Sequence, residues 1–188
     1  MNHMFRSTLF LPLALAASSI SLAPALLAGG GQKIDSGSNK MMKSPDATFA
    51  MKAAQGGIAE VQLGQLAAEK GMSQEVKTFG QRMVDDHTKA NDQLKGIAEK
   101  EGMTLPTSLN AKDQALLTKL QNASGEKFDQ EYIKSMVKDH EEDVKEFQKE
   151  ANNGSDPQLK DFASQTLPTL QSHLEMAKSA ESSLKSTK

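Results

Sequence analysis

The 188-residue chain contains no cysteine. That excludes disulfides, thiolate-bound zinc, iron–sulfur clusters, thiol catalysis and a lipid anchor on cysteine. Tryptophan is absent and Tyr132 is the single tyrosine, so a platform for stacking bases or sugars is not expected. Neither sign of charge dominates, since 24 acidic and 22 basic residues leave a formal net charge of -2. That balance excludes a strongly basic nucleic-acid binder and a highly acidic tail. No glycine-rich phosphate loop opens a helix and no serine sits in a G-x-S-x-G elbow. No segment alternates with period two for long enough to build a strand or an outer-membrane barrel.

Long apolar runs are scarce too, and the one present is at the N-terminus. Arg6 precedes an apolar stretch from Leu9 to Ala28 that ends in small residues, with Ala23-Pro24-Ala25 as an A-x-A site. The pattern predicts a signal peptide over residues 1–28, cleaved on export to the periplasm or beyond, with outer-membrane association as a further destination. No transmembrane span is expected after cleavage. An envelope protein is the partner such a destination suggests, and nucleic acid is not. Residues 29–45, rich in Gly, Ser and Lys, read as a disordered linker.

From residue 46 to 186 the apolar spacing is helical. The spacing predicts long helices over 45–70, 73–101, 126–152 and 157–184, with a short one over 111–122 between the second and third. Ser44 or Asp46, Ser73 and Asp156 are the expected caps, with Pro45 and Pro157 in first turns. Pro168 predicts a kink near Thr166. The fold class is all-α, an antiparallel four-helix bundle with a short extra helix in the long connection, which is expected to cross the bundle end.

His87, His140 and His173 lie on the apolar stripes of three helices. Glu60 lies on the line Phe49, Ala53, Gly57, Glu60, Gly64, Ala67 of the fourth. With the two short turns taken as one end of the bundle, a rise of ~1.5 Å per residue puts Glu60, His87, His140 and His173 roughly 17, 24, 21 and 28 Å along it. The four are expected near one level, as a hydrogen-bonded layer that fixes helix register or as ligands of one transition-metal ion. Iron, zinc and copper all take imidazole and carboxylate. Met83, Met136 and Met176 share faces with the histidines and bring Cu(I) into view, although methionine also fills cores. The residues three before each histidine are Val84, Val137 and Leu170, so the Glu-x-x-His spacing of di-iron bundles is missing. Asp86 and Asp139 each precede a histidine and diverge from it by about 100°. They are expected on solvated faces, or at most behind a ligand.

Phe79-x3-Met83-Val84-x-Asp86-His87-x3-Asn91-x2-Leu94 is echoed by Tyr132-x3-Met136-Val137-x-Asp139-His140. Together with Ala54-x5-Glu60-Val61-x-Leu63-Gly64 and Leu167-Pro168-x-Leu170-x2-His173-Leu174, these motifs resemble an exported bacterial family, domain of unknown function 4142. The resemblance covers roughly residues 46–186. It implies a ferritin-like bundle and supplies no reaction. Two functions follow as expectations. One is an exported, non-enzymatic binding or stress-protective bundle. The other is a metalloprotein holding one ion through His87, His140, His173 and Glu60.

Overall fold

Four of the five helices start where a side chain accepts from one of the first free N–H groups. In the computed structural model, which describes residues 44–186, Ser44 Oγ accepts from Ala47 N and opens α1 (Pro45–Lys70). Ser73 Oγ accepts from Val76 N and opens α2 (Gln74–Lys100). Asn110 Oδ1 accepts from Asp113 N at α3 (Ala111–Gln121). A left-handed Gly125, φ 59°, begins α4 (Gly125–Asn153). Asp156 Oδ1 accepts from Leu159 N at α5 (Pro157–Ser186). Helix α5 continues through Pro168. The described residues are all helix, turn and loop. The segments read as signal peptide and linker lie outside them, apart from Ser44 and Pro45.

Helices α1 and α2 pack along each other, as do α4 and α5, and the two pairs join through α2 with α5 and α1 with α4. One apolar cluster gathers Leu63, Val76, Phe79, Met83, Phe128, Tyr132, Met136 and Ala177. A second gathers Phe49, Leu94, Phe147, Leu159, Phe162 and Leu170. The first holds the end of α1 and the start of α4, and the second the start of α1 and the end of α4. The two short turns therefore lie at opposite ends, contrary to the sequence expectation. Two carboxylates fix this arrangement. Asp129 of α4 accepts from Met72 N (2.9 Å) and Ser73 N (2.8 Å) in the first turn. Asp46 of α1 accepts from Ser155 N (3.2 Å) and Asp156 N (3.0 Å) in the other.

The connection through α3 is also corrected. It starts beside the second cluster at Met103 and Leu105 and ends in the first at Leu120 and Ala123. It runs along the bundle rather than across its end. Lys70 Nζ holds the far end, donating to Gln121 O (2.5 Å) and Ala123 O (2.9 Å). With the ends set correctly, the four polar residues lie closer in height than expected. Glu60 and His87 keep their roughly 17 and 24 Å from the end that carries Gly71, and His140 and His173, counted from the start of α4 and the end of α5, fall between them.

Candidate metal centre

Four helices each deliver one buried polar side chain to the level between the two apolar clusters. Glu60 comes from α1, His87 from α2, His140 from α4 and His173 from α5. Glu60 is 1% exposed, His87 6%, His140 0% and His173 0%. The sequence placed them on core faces, and the structure brings all four together. Ring centroids are 5.7 Å apart for His87 and His140, 5.4 Å for His87 and His173, and 5.3 Å for His140 and His173. One nitrogen from each ring lies within 4.8 Å of the other two.

The hydrogen bonds around the rings determine where two of the protons are. His140 Nδ1 lies 3.0 Å from Met136 O. A carbonyl only accepts, so Nδ1 carries the proton and Nε2 a lone pair. His173 Nε2 lies 2.9 Å from Asp86 Oδ2. Burial pushes Asp86 up, but the His173 hydrogen bond and Arg82 outweigh it and hold Asp86 below its usual range. The ionised Asp86 therefore accepts from His173 Nε2–H, which leaves the lone pair on Nδ1. The two lone-pair nitrogens, His140 Nε2 and His173 Nδ1, face each other across 3.4 Å. Glu60 Oε1 lies 3.3 Å from the same His140 Nε2. Oε1 is buried without a hydrogen-bond partner. The other oxygen, Oε2, shares a proton with His87 Nδ1 at 2.8 Å. That leaves His87 Nε2 buried and unpartnered.

Protonating a ring does not resolve the two opposed ring nitrogens. Burial lowers His140 to about 3, and the charges of His87 and His173 add to the effect. Burial likewise lowers His87 and His173 to about 4. Glu60 is raised well above the usual carboxylate range by burial, then by Asp139 and Asp113. His87, His140 and His173, with Glu60 beside them, could hold a cation. Metal bonds of ~2.0–2.1 Å place tetrahedral donors about 3.3–3.4 Å apart, which matches the spacings around His140 Nε2. Each of His140 and His173 also donates its outer N–H to an oxygen, as metal-bound imidazoles do.

Asp143 escaped the sequence reading, and Asp86 and Asp139 were placed in it only between two alternatives. Asp86, expected on a solvated face or behind a ligand, stands behind His173. Asp139, given the same expectation, instead joins Glu60 and Asp143 in a carboxylate cluster whose oxygens lie within 4.8 Å of one another. Asp143 is raised well above the usual range by burial first and then by Glu60 and Asp139. It follows His140 by three, a spacing that shares a helix face and was a usable signal. Met83 and Met136 pack in the apolar cluster with Phe79 and Tyr132.

The family model for a domain of unknown function, DUF4142, matches residues 32–180. No curated protein matches the chain in sequence. Two solved structures share the fold. A DUF305 fragment from Deinococcus radiodurans aligns with TM-score 0.66 at 11% identity, over 74% of this chain and 97% of that one. The "putative secreted protein DUF305" from Streptomyces coelicolor aligns with TM-score 0.65 at 13% identity, over 77% of this chain and 96% of that one. At such identities the likeness concerns the fold alone.

Proposed function

We propose, from the premise that this chain belongs to the DUF4142 family, that it is an exported protein which binds one divalent transition-metal ion in its core. His87, His140 and His173 are the nitrogen ligands and Glu60 the carboxylate ligand. The observation that carries this reading is the pair of buried ring nitrogens, His140 Nε2 and His173 Nδ1, 3.4 Å apart, each with its other ring nitrogen bonded to an oxygen. Three imidazoles and a carboxylate, without thiolate, suit Zn(II), Fe(II) or Cu(II). The reading favours holding an ion over transforming an organic substrate. The four side chains are buried, so an organic substrate has no surface of the site to meet.

We read the arrangement as an antiparallel four-helix bundle of the ferritin-like kind, in which each helix runs opposite to the two it packs on. A ferritin-like outline does not bring ferritin chemistry with it. The Glu-x-x-His pairs remain absent from this sequence, so a ferroxidase centre is not proposed. For location, we take residues 1–28 as a cleaved signal, 29–45 as a linker and 46–186 as the domain, in the periplasm or secreted. The secretory pattern of the sequence supports this, and the name of the Streptomyces neighbour agrees with it. No helix among the described residues is long and apolar enough to cross a membrane.

The test is elemental analysis of the protein purified without a histidine tag, followed by zinc titration of the metal-free form. One equivalent of a single metal is expected, lost in the His140→Ala, His173→Ala variant while helical content persists. A metal-free protein that takes no zinc, with a variant that loosens or unfolds, makes the four residues a layer that only fixes register.

A further inference from the structure

Beside the histidines, toward the second apolar cluster, a small cavity of about 20 Å³ has a lining of mixed character. Its polar residues are Glu60, His87, Asn91, Asp143 and Thr166, and phenylalanine and leucine side chains close the rest. Apolar walls around one ion-sized void exclude bulk water, which strengthens any interaction between a cation and the oxygens that remain.

Three observations show that this is more than a packing defect. Glu60 lines the cavity, and its Oε1 is buried without a hydrogen-bond partner. Asn91 is seated in a notch made by Gly57, where a Cβ would lie 2.0 Å from its Oδ1. The missing side chain lets the amide reach the cavity one helical turn beyond His87. The carboxylates of Glu60, Asp139 and Asp143 converge to within 4.8 Å of one another. Three carboxyl groups that close stay together only where protons or a cation offset their charge.

We propose that this cavity is a second cation site, with Glu60, Asp143 and Asn91 as oxygen donors and Asp139 beside them, taking a hard divalent cation next to the histidine-held ion. The proposal rests on the histidine site, and Glu60 is common to both. The donor sets differ in kind. Imidazoles select a borderline transition metal, whereas carboxylate and amide oxygens select manganese, magnesium or calcium.

The experiment uses Mn(II) as the probe. Purified protein is first loaded with one equivalent of zinc, and Mn(II) is then titrated in and followed by electron paramagnetic resonance. One tightly held Mn(II) is expected. Asp143→Asn should weaken Mn(II) binding roughly tenfold or more and retain one zinc. If Asp143→Asn does not fold, Asn91→Ala, which truncates a half-exposed amide, makes the same comparison. Protein that binds zinc but no Mn(II), or a folded variant that binds Mn(II) as the wild type does, overturns the second site alone. Protein that takes no zinc overturns the histidine reading and this one with it.

Discussion

Gly64 and Gly80 bring the backbones of α1 and α2 together, since a Cβ on either would lie 2.7 Å from the other's carbonyl oxygen. Backbone cannot swing aside as the tip of a side chain can. Gly80→Ala is therefore expected to cost about 2 kcal/mol or more through overpacking. Gly96, on the same helix, has nothing within 4 Å of the place a Cβ would take. Gly96→Ala should instead stabilise by about 0.5–1 kcal/mol through helix propensity. Urea denaturation of the two variants checks both signs. Equal effects would mean that the close approach is looser than the structure indicates.

Asp129 and Asp46 hold the two helix turns from the opposite pair of helices, but in different surroundings. Asp129 is 1% exposed, and removing it strands the N–H groups of Met72 and Ser73. Asp129→Ala should cost about 2–4 kcal/mol. Asp46 makes its longer bond, to Ser155 N, in an exposed setting, where water replaces the carboxylate. Asp46→Ala should cost only about 1 kcal/mol. Thermal melts of the two variants test this order, and the reverse order would refute the account.

These clamps also mark where the sequence stopped being legible. Helix ends could be read because Ser44, Ser73 and Asp156 act locally, within three residues of the groups they cap. The four site residues could be read because a core stripe seldom contains histidine or glutamate without a reason. Periodicity says which face of a helix is buried and nothing about which way the helix runs. The relative direction of the two hairpins depends on contacts more than fifty residues apart, Asp129 with Ser73 and Asp46 with Asp156. Asp86 and Asp139 were left between two placements for a related reason. A residue 100° from the core centre on its own helix can still face a neighbouring helix, and Asp86 meets His173 in that way.

Glu150 links stability to pH. Burial first, then the charges of Asp46 and Asp156 and a hydrogen bond to Asp46, raise it to about 7 from 4.5. A raised carboxyl binds its proton more tightly in the folded state than in the unfolded chain. The contribution is complete below about pH 4.5 and is lost as pH rises through about 7. Solvent screens the neighbouring charges, so the whole effect is on the order of 1 kcal/mol. Glu150→Gln should flatten stability across that window without lowering it at pH 5. Denaturation midpoints at pH 5 and pH 8, compared between wild type and variant, measure the difference. An unchanged slope would sink the assignment.

Asp86 is expected to govern metal affinity without touching the metal. Its carboxylate accepts from His173 Nε2–H and also pairs with Arg82, which keeps the lone pair of His173 on Nδ1, facing His140. An asparagine can turn its amide N–H toward Nε2. The ring proton then moves to Nδ1 and blocks the ligand atom. Asp86→Asn should therefore lose roughly 10–100-fold in zinc affinity with little change in helical content. Arg82→Gln leaves the His173 contact in place and should lose much less. Competition with a chromophoric chelator gives both constants. If Asp86→Asn binds zinc as tightly as wild type, the orientation of His173 is set by packing alone, and the tautomer argument for the site loses its support from α5.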